Sequence, residues 1–164
     1  MSKTVANVVG VGSTLMCDDG VGPAAIDRLS CRGVPVGVRL HDAGLSVSDV
    51  LGGLDPSVPL VVIDAVRGSG PPGTVYEIHL DSGTPEVAGA GRMLSLHELS
   101  VVPALELEAL TGRVFSDVTV FGVEPETLQW GENLSPAVAG ALDKLTRAVI
   151  QHVQTMCPSS LPGD

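Results

Sequence analysis

A three-layer α/β/α sandwich around a mostly parallel five-stranded sheet is the fold the sequence predicts, and three observations carry the prediction. Apolar residues make up 44% of the 164-residue chain and aromatics only 2%, so the core is built from Val, Leu, Ile and Ala, as suits a parallel sheet buried under helices. Short apolar runs alternate with segments of helical spacing. Several runs end in a carboxylate or a histidine, at the strand ends where sheets of this kind bind ligands.

Val5 to Val11 is an apolar run closed by glycines and reads as the first strand. Pro23 to Arg32 has helical spacing, with Pro23 suited to a first helical position and Gly33 to a C-cap. Val36 to Leu40 alternates as a second strand, Leu45 to Leu54 reads as a short helix, and Leu60 to Ile63 forms a third strand ending at Asp64. Residues 68 to 73 are a turn by composition, and the alternation of Thr74 to Leu80 fits a half-covered, antiparallel edge strand. Asp81 to Arg92 is Gly- and Ala-rich and reads as a long functional loop. Leu96 to Leu110 is helical in pattern, with Pro103 expected to kink or divide it, and Val118 to Val123 is the fifth strand. Ser135 is an N-cap before a last helix whose stripe is Val138, Leu142, Leu145, Val149 and Val153. Residues 1 to 157 read as one domain and residues 158 to 164 as a disordered tail.

Charge and cysteine usage exclude whole classes of function. Nineteen acidic against nine basic residues leave a formal net charge of −10 and no cationic stripe, which argues against nucleic acid as a partner. The three cysteines lack the C-x-x-C spacing of a zinc or redox site and suit a reducing cytoplasm. No apolar run approaches a membrane span and the first residues lack a signal-peptide pattern, so the expected setting is cytoplasmic.

Asp18 and Asp19 follow the first strand, Asp42 the second, and Asp64 ends the third, so the topology collects four carboxylates at one edge. Crowded acids repel one another and are compensated by a cation. Asp18 and Asp42 also suit plainer roles, at the N-terminus of the first helix and as cap of the second, and those readings are preferred. Asp64 has no obvious helix to cap, which favours a ligand role. His97 alone would be an ordinary histidine at a helix start, but two carboxylates and an imidazole together can hold one divalent ion.

Competing motifs are weaker. Gly10-Val11-Gly12 lacks the third glycine of a dinucleotide fingerprint, where Leu15 stands, and two acids follow where pyrophosphate would sit. Ser13 lacks the flanking glycines of a nucleophile elbow. Cys17 has acids on its C-terminal side, which raise a thiol pKa, and reads as a small loop filler.

Taken in order, these segments form a specific set: Gly10, Gly12, Ser13, Leu15, Asp18, Asp19, Gly20 and Gly22; Asp42-Ala43-Gly44; Val62-Ile63-Asp64-Ala65; Ser95-Leu96-His97; Gly122 to Glu126; Trp130-Gly131; and Leu134-Ser135-Pro136. The set resembles the hydrogenase maturation endopeptidases over residues 5 to 153. The resemblance implies removal of a C-terminal extension from the large-subunit precursor of a nickel–iron hydrogenase after nickel insertion. It further implies that Asp19, Asp64 and His97 contact the metal and that the nickel is supplied by the precursor; the sequence itself names no nucleophile beyond water. Other divalent ions such as zinc, manganese or cadmium can satisfy such a ligand set. The chain is expected to act as a monomer. Ser13 stands where the family usually has asparagine, and Trp130 is expected to pack over the end of the fifth strand. The rival readings are a metal-binding or chaperone-like module that binds the same precursor without cutting it, and a small-molecule hydrolase on a related fold.

Overall fold

The computed structural model describes residues 2–80, 86–88 and 99–157. Its centre is a six-stranded sheet of β1 (Ala6–Val11), β2 (Val38–Gly44), β3 (Leu60–Ala65), β4 (Val75–Leu80), β5 (Glu86–Ala88) and β6 (Val118–Val123), in the order β2-β1-β3-β6-β4-β5. The first four strands in that order are parallel, and β4 runs antiparallel to both β6 and β5. The mostly parallel sheet is therefore as expected, with one short strand more. β5 falls inside the segment expected to be loop, and by pairing with β4 it makes that strand internal instead of an edge.

Because alternate residues of a strand point to opposite faces, the valine pairs feed two separate cores. Val8, Val61, Ile63 and Phe121 pack on one face with Ile26 and Leu29 of α1 (Val21–Arg32) and with Leu142, Leu145 and Val149 of α4 (Pro136–Met156). Val9, Val62, Val120, Tyr76 and Ile78 pack on the other with Val47 and Leu51 of α2 (Val47–Gly52) and Val101 and Ala104 of α3 (Val101–Leu110). A helical layer thus lies on each face.

Three boundaries differ from the sequence reading, each for a local reason. β2 begins two residues late and continues through Gly44, because β1 keeps pairing with it as far as Val11↔Gly44. α1 begins at Val21, which puts Pro23 within the first turn, where its missing N–H has no intrahelical partner to lose. Pro103 occupies the equivalent place in α3, which runs through it without a break from Val101 to Leu110. Residues 96 to 98 lie outside the described residues, as do the 158–164 tail and most of the Asp81–Arg92 loop.

Ser135 is the N-cap of α4, and all five residues of the expected stripe are buried. Its hydroxyl accepts from Val138 N at 3.4 Å and donates to Asp18 Oδ2 at 2.9 Å. Ser135→Ala is expected to lower unfolding free energy by about 1–2 kcal/mol, read as a shift in urea midpoint at constant slope.

Candidate active site at the carboxyl edge of the sheet

The chain passes from β1 to β2 on one side of it and then returns past β1 to β3 on the other, so the crevice between the carboxyl ends of β1 and β3 is the point where strand order reverses. The glycines around it are demanded by close approach. A Cβ on Gly22 would lie 2.2 Å from Val11 O and 2.6 Å from Ile63 O, so glycine lets the start of α1 sit directly on both strand ends. Gly12, at φ +125°, would put a Cβ 1.8 Å from Asp19 O. The Gly-x-Gly pattern therefore serves the packing of a loop and a helix on the strands.

That packing fixes Asp19. It sits in a single 3-10 turn, Cys17–Gly20, and its Oδ2 accepts from Ser13 N at 2.7 Å, while the Ser13 hydroxyl accepts from Leu15 N at 3.2 Å. Asp64, next to last in β3, is 5% exposed and accepts a hydrogen bond from the Ser100 hydroxyl. Asp19 and Asp64 line one cavity of about 440 Å³ together with Arg67 and Ser100. Burial pushes the Asp64 carboxyl up from 3.8 to about 7; the Ser100 hydroxyl opposes the rise, the negative charge of Asp19 adds to it, and the Ala65 backbone opposes it. A carboxyl in that state holds or releases a proton near neutral pH, and a cation between the two acids would draw both into the ionised form.

The other two acids go elsewhere. Asp18 is fully buried, and its carboxylate accepts from Ser135 N at 2.7 Å, the Ser135 hydroxyl at 2.9 Å, Glu126 N at 2.9 Å and Thr127 N at 3.1 Å. Burial alone would raise its pKa, but the donors from Ser135, Thr127 and Glu126 outweigh it and hold the carboxyl below its ordinary value. Asp18 is thus no ligand, as preferred, but its work is to tie the Asp19 loop to the chain between β6 and α4. Asp42 lies within β2, exposed, with Oδ1 accepting from Gly44 N at 3.0 Å; it does not cap α2, where Ser46 holds the N-cap position.

His97 lies outside the described residues. Among the described residues, no three His, Cys, Asp or Glu side chains gather closely enough to hold a metal ion. The described part of the expected set is the carboxylate pair. Trp130 is 80% exposed and does not cover the end of β6. Ser100 and Arg67 were not singled out by sequence reasoning, since neither lies in a motif and both reach the cavity only through tertiary folding. Among the described residues, no helix is long and apolar enough to cross a membrane.

Fold and cavity together define a class: a doubly wound α/β protein with an acidic, ligand-sized crevice at the switch point of its parallel strands. The family model described as hydrogenase maturation protease (HycI) matches residues 23–152. The hydrogenase expression/formation protein HupD of Rhodobacter capsulatus is 34% identical over 138 residues, covering 83% of this chain but 65% of that protein's own length. The hydrogenase 2 maturation protease of Escherichia coli is 26% identical over 159 residues, covering 96% of this chain and 95% of the relative. The crystal structure of a hydrogenase 2 maturation peptidase from Thaumarchaeota archaeon SCGC_AB-539-E09 superposes with a TM-score of 0.69 at 27% identity, over 91% of this chain and 97% of that one. The chain belongs to the hydrogenase maturation protease family.

Proposed function

We propose that the protein is an endopeptidase that removes the C-terminal extension of a nickel-loaded nickel–iron hydrogenase large-subunit precursor, with the substrate's own nickel as the recognition element. The observation that carries this reading is the pair Asp19 and Asp64 facing one cavity at the carboxyl edge of the sheet in a member of this family. His97 is the proposed third contact. Two carboxylates and an imidazole leave coordination positions open for substrate thiolates or water, as a recognition or catalytic site requires. In the hydrolytic step, water attacks the scissile carbonyl and a carboxylate of the pair takes its proton, a role suited to a group titrating near pH 7. The protein is proposed to act as a monomer in the cytosol.

The test is intact-mass spectrometry of a large-subunit precursor, nickel-loaded and nickel-free, after incubation with the wild type and with Asp19→Asn, Asp64→Asn and His97→Ala. Loss of a C-terminal peptide is expected only from the loaded precursor, and each variant should cut at least about 100-fold more slowly. Wild-type rates in all three variants would refute the site assignment. Stable association without any loss of mass would instead make the protein a binding module for the precursor.

A further inference from the structure

We infer that Arg67 is the side chain that stabilises negative charge on the scissile carbonyl oxygen, an inference that rests on the peptidase reading above. Arg67 follows β3 by two residues, lines the cavity with Asp19 and Asp64, and is the one basic residue among that cavity's described lining. Arg28, Arg32 and Arg113 each pair with a carboxylate at 2.5–2.7 Å; Arg67, like Arg39 and Arg147, makes no ion pair among the described residues, and it is the one of these that lines the cavity. In a chain of net charge −10, an exposed cation that lines the same cavity as two acids and forms an ion pair with neither is available to a ligand.

The backbone on both sides of Arg67 is anchored. Before it, the buried Val66 donates its N–H to Val123 O at 2.9 Å, continuing the pairing with β6. After it, Gly68 N donates to Glu124 Oε2 at 2.5 Å, and the Tyr76 hydroxyl donates to the same oxygen at 2.8 Å while accepting from Gly70 N at 2.8 Å. A Cβ on Gly68 would lie 2.5 Å from the Tyr76 hydroxyl oxygen, so the turn rests directly on that ring. Glu124 is 8% exposed, and burying a carboxylate is costly unless its hydrogen bonds are made. Here those bonds go to the turn that carries Arg67. The clamp fixes the backbone that carries Arg67, as a charge held ready for a reacting group requires.

The chemistry supplies the need. When water oxygen bonds to the scissile carbonyl carbon, the carbonyl π pair moves onto its oxygen, and the proton of the water passes to a carboxylate. The resulting oxyanion forms next to an acid pair of which one member still carries the negative charge that repels it. Guanidinium N–H donors stabilise it until the pair returns, the C–N bond breaks and the leaving nitrogen takes the proton. The product acid gives its remaining proton to the released amine, and its carboxylate replaces the oxyanion on the same donors.

Steady-state processing of the nickel-loaded precursor by wild type, Arg67→Ala and Arg67→Lys tests this. Arg67→Ala is expected to lower kcat by about 10²–10³-fold with KM nearly unchanged, Arg67→Lys to fall between, and added methylguanidinium to restore part of the Arg67→Ala rate. Wild-type kinetics in Arg67→Ala, or a loss confined to KM, would overturn the inference while leaving the peptidase reading intact. Failure of the wild type itself to cut the loaded precursor would overturn both.

Discussion

An Asp18→Ala protein is expected to lose about 4 kcal/mol or more of unfolding free energy, enough to consume much of the roughly 5–15 kcal/mol that holds a typical domain. The substitution leaves Ser135 N, the Ser135 hydroxyl, Glu126 N and Thr127 N without their acceptor in a fully buried place. Each orphaned donor costs about 1–3 kcal/mol. The pH dependence follows from the direction of the shift. Because the folded state holds Asp18 below its ordinary 3.8, the stabilisation is fully present above pH 3.8 and is lost as pH falls through the lower folded value. Urea titrations at pH 7 and pH 3 read both effects: the gap between wild type and Asp18→Ala should be wide at the first pH and narrower at the second. A midpoint equal to wild type at pH 7 would refute the role assigned to Asp18. Because the same residue anchors the Asp19 loop, processing should fall with stability.

Asp64→Asn is expected to do the opposite to stability while abolishing processing. Asp64 is buried, and its folded pKa is raised from 3.8 to about 7, so the native state prefers the protonated form. The stability contributed by that preference is complete below pH 3.8 and lost as pH rises through about 7. A shift of this size corresponds to about 4 kcal/mol at most. Asparagine keeps the shape and an acceptor for the Ser100 hydroxyl but cannot ionise. The variant should therefore match wild type near pH 4 and exceed it by up to about 4 kcal/mol at pH 8. Wild-type affinity for manganese or nickel ions should rise up to about tenfold per pH unit below pH 7 and level off above it, because binding must displace the Asp64 proton. Thermal melts across that range, with calorimetric metal titrations at pH 6 and 8, measure both. A variant less stable than wild type at pH 8 would show that Asp64 is not strained by burial.

These two acids also mark how far the chain could be read before folding. Asp64 stood out because an apolar run ended on it, and it lies in the cavity as that pattern implied. Asp18 and Asp19 are neighbours of the same type; the sequence favoured a plain role for Asp18 at the helix N-terminus, but nothing local showed which donors it would take. Asp18 turns to donors 108 to 117 residues away, while Asp19 turns back to Ser13 and the cavity. Trp130 was expected to cover a strand end and is exposed, since one aromatic residue in a loop carries no periodicity from which to read a face.

What the sequence by itself determined were the features set by near neighbours: the valine-rich parallel strands, the helices between them, the Ser135 cap, the stripe of α4 and the ordered motifs of the family. Strand and helix periods of 2.0 and 3.6 residues, and the needs of a cap, are written within a few positions of one another. Tertiary structure alone decided the partners of buried charge. The four donors of Asp18, the pairing of Ser100 with Asp64 and the Glu124 clamp beneath Arg67 all join distant segments. A buried polar group takes whichever partner the packed chain brings to it, and that choice exists only once the sheet has brought those segments together.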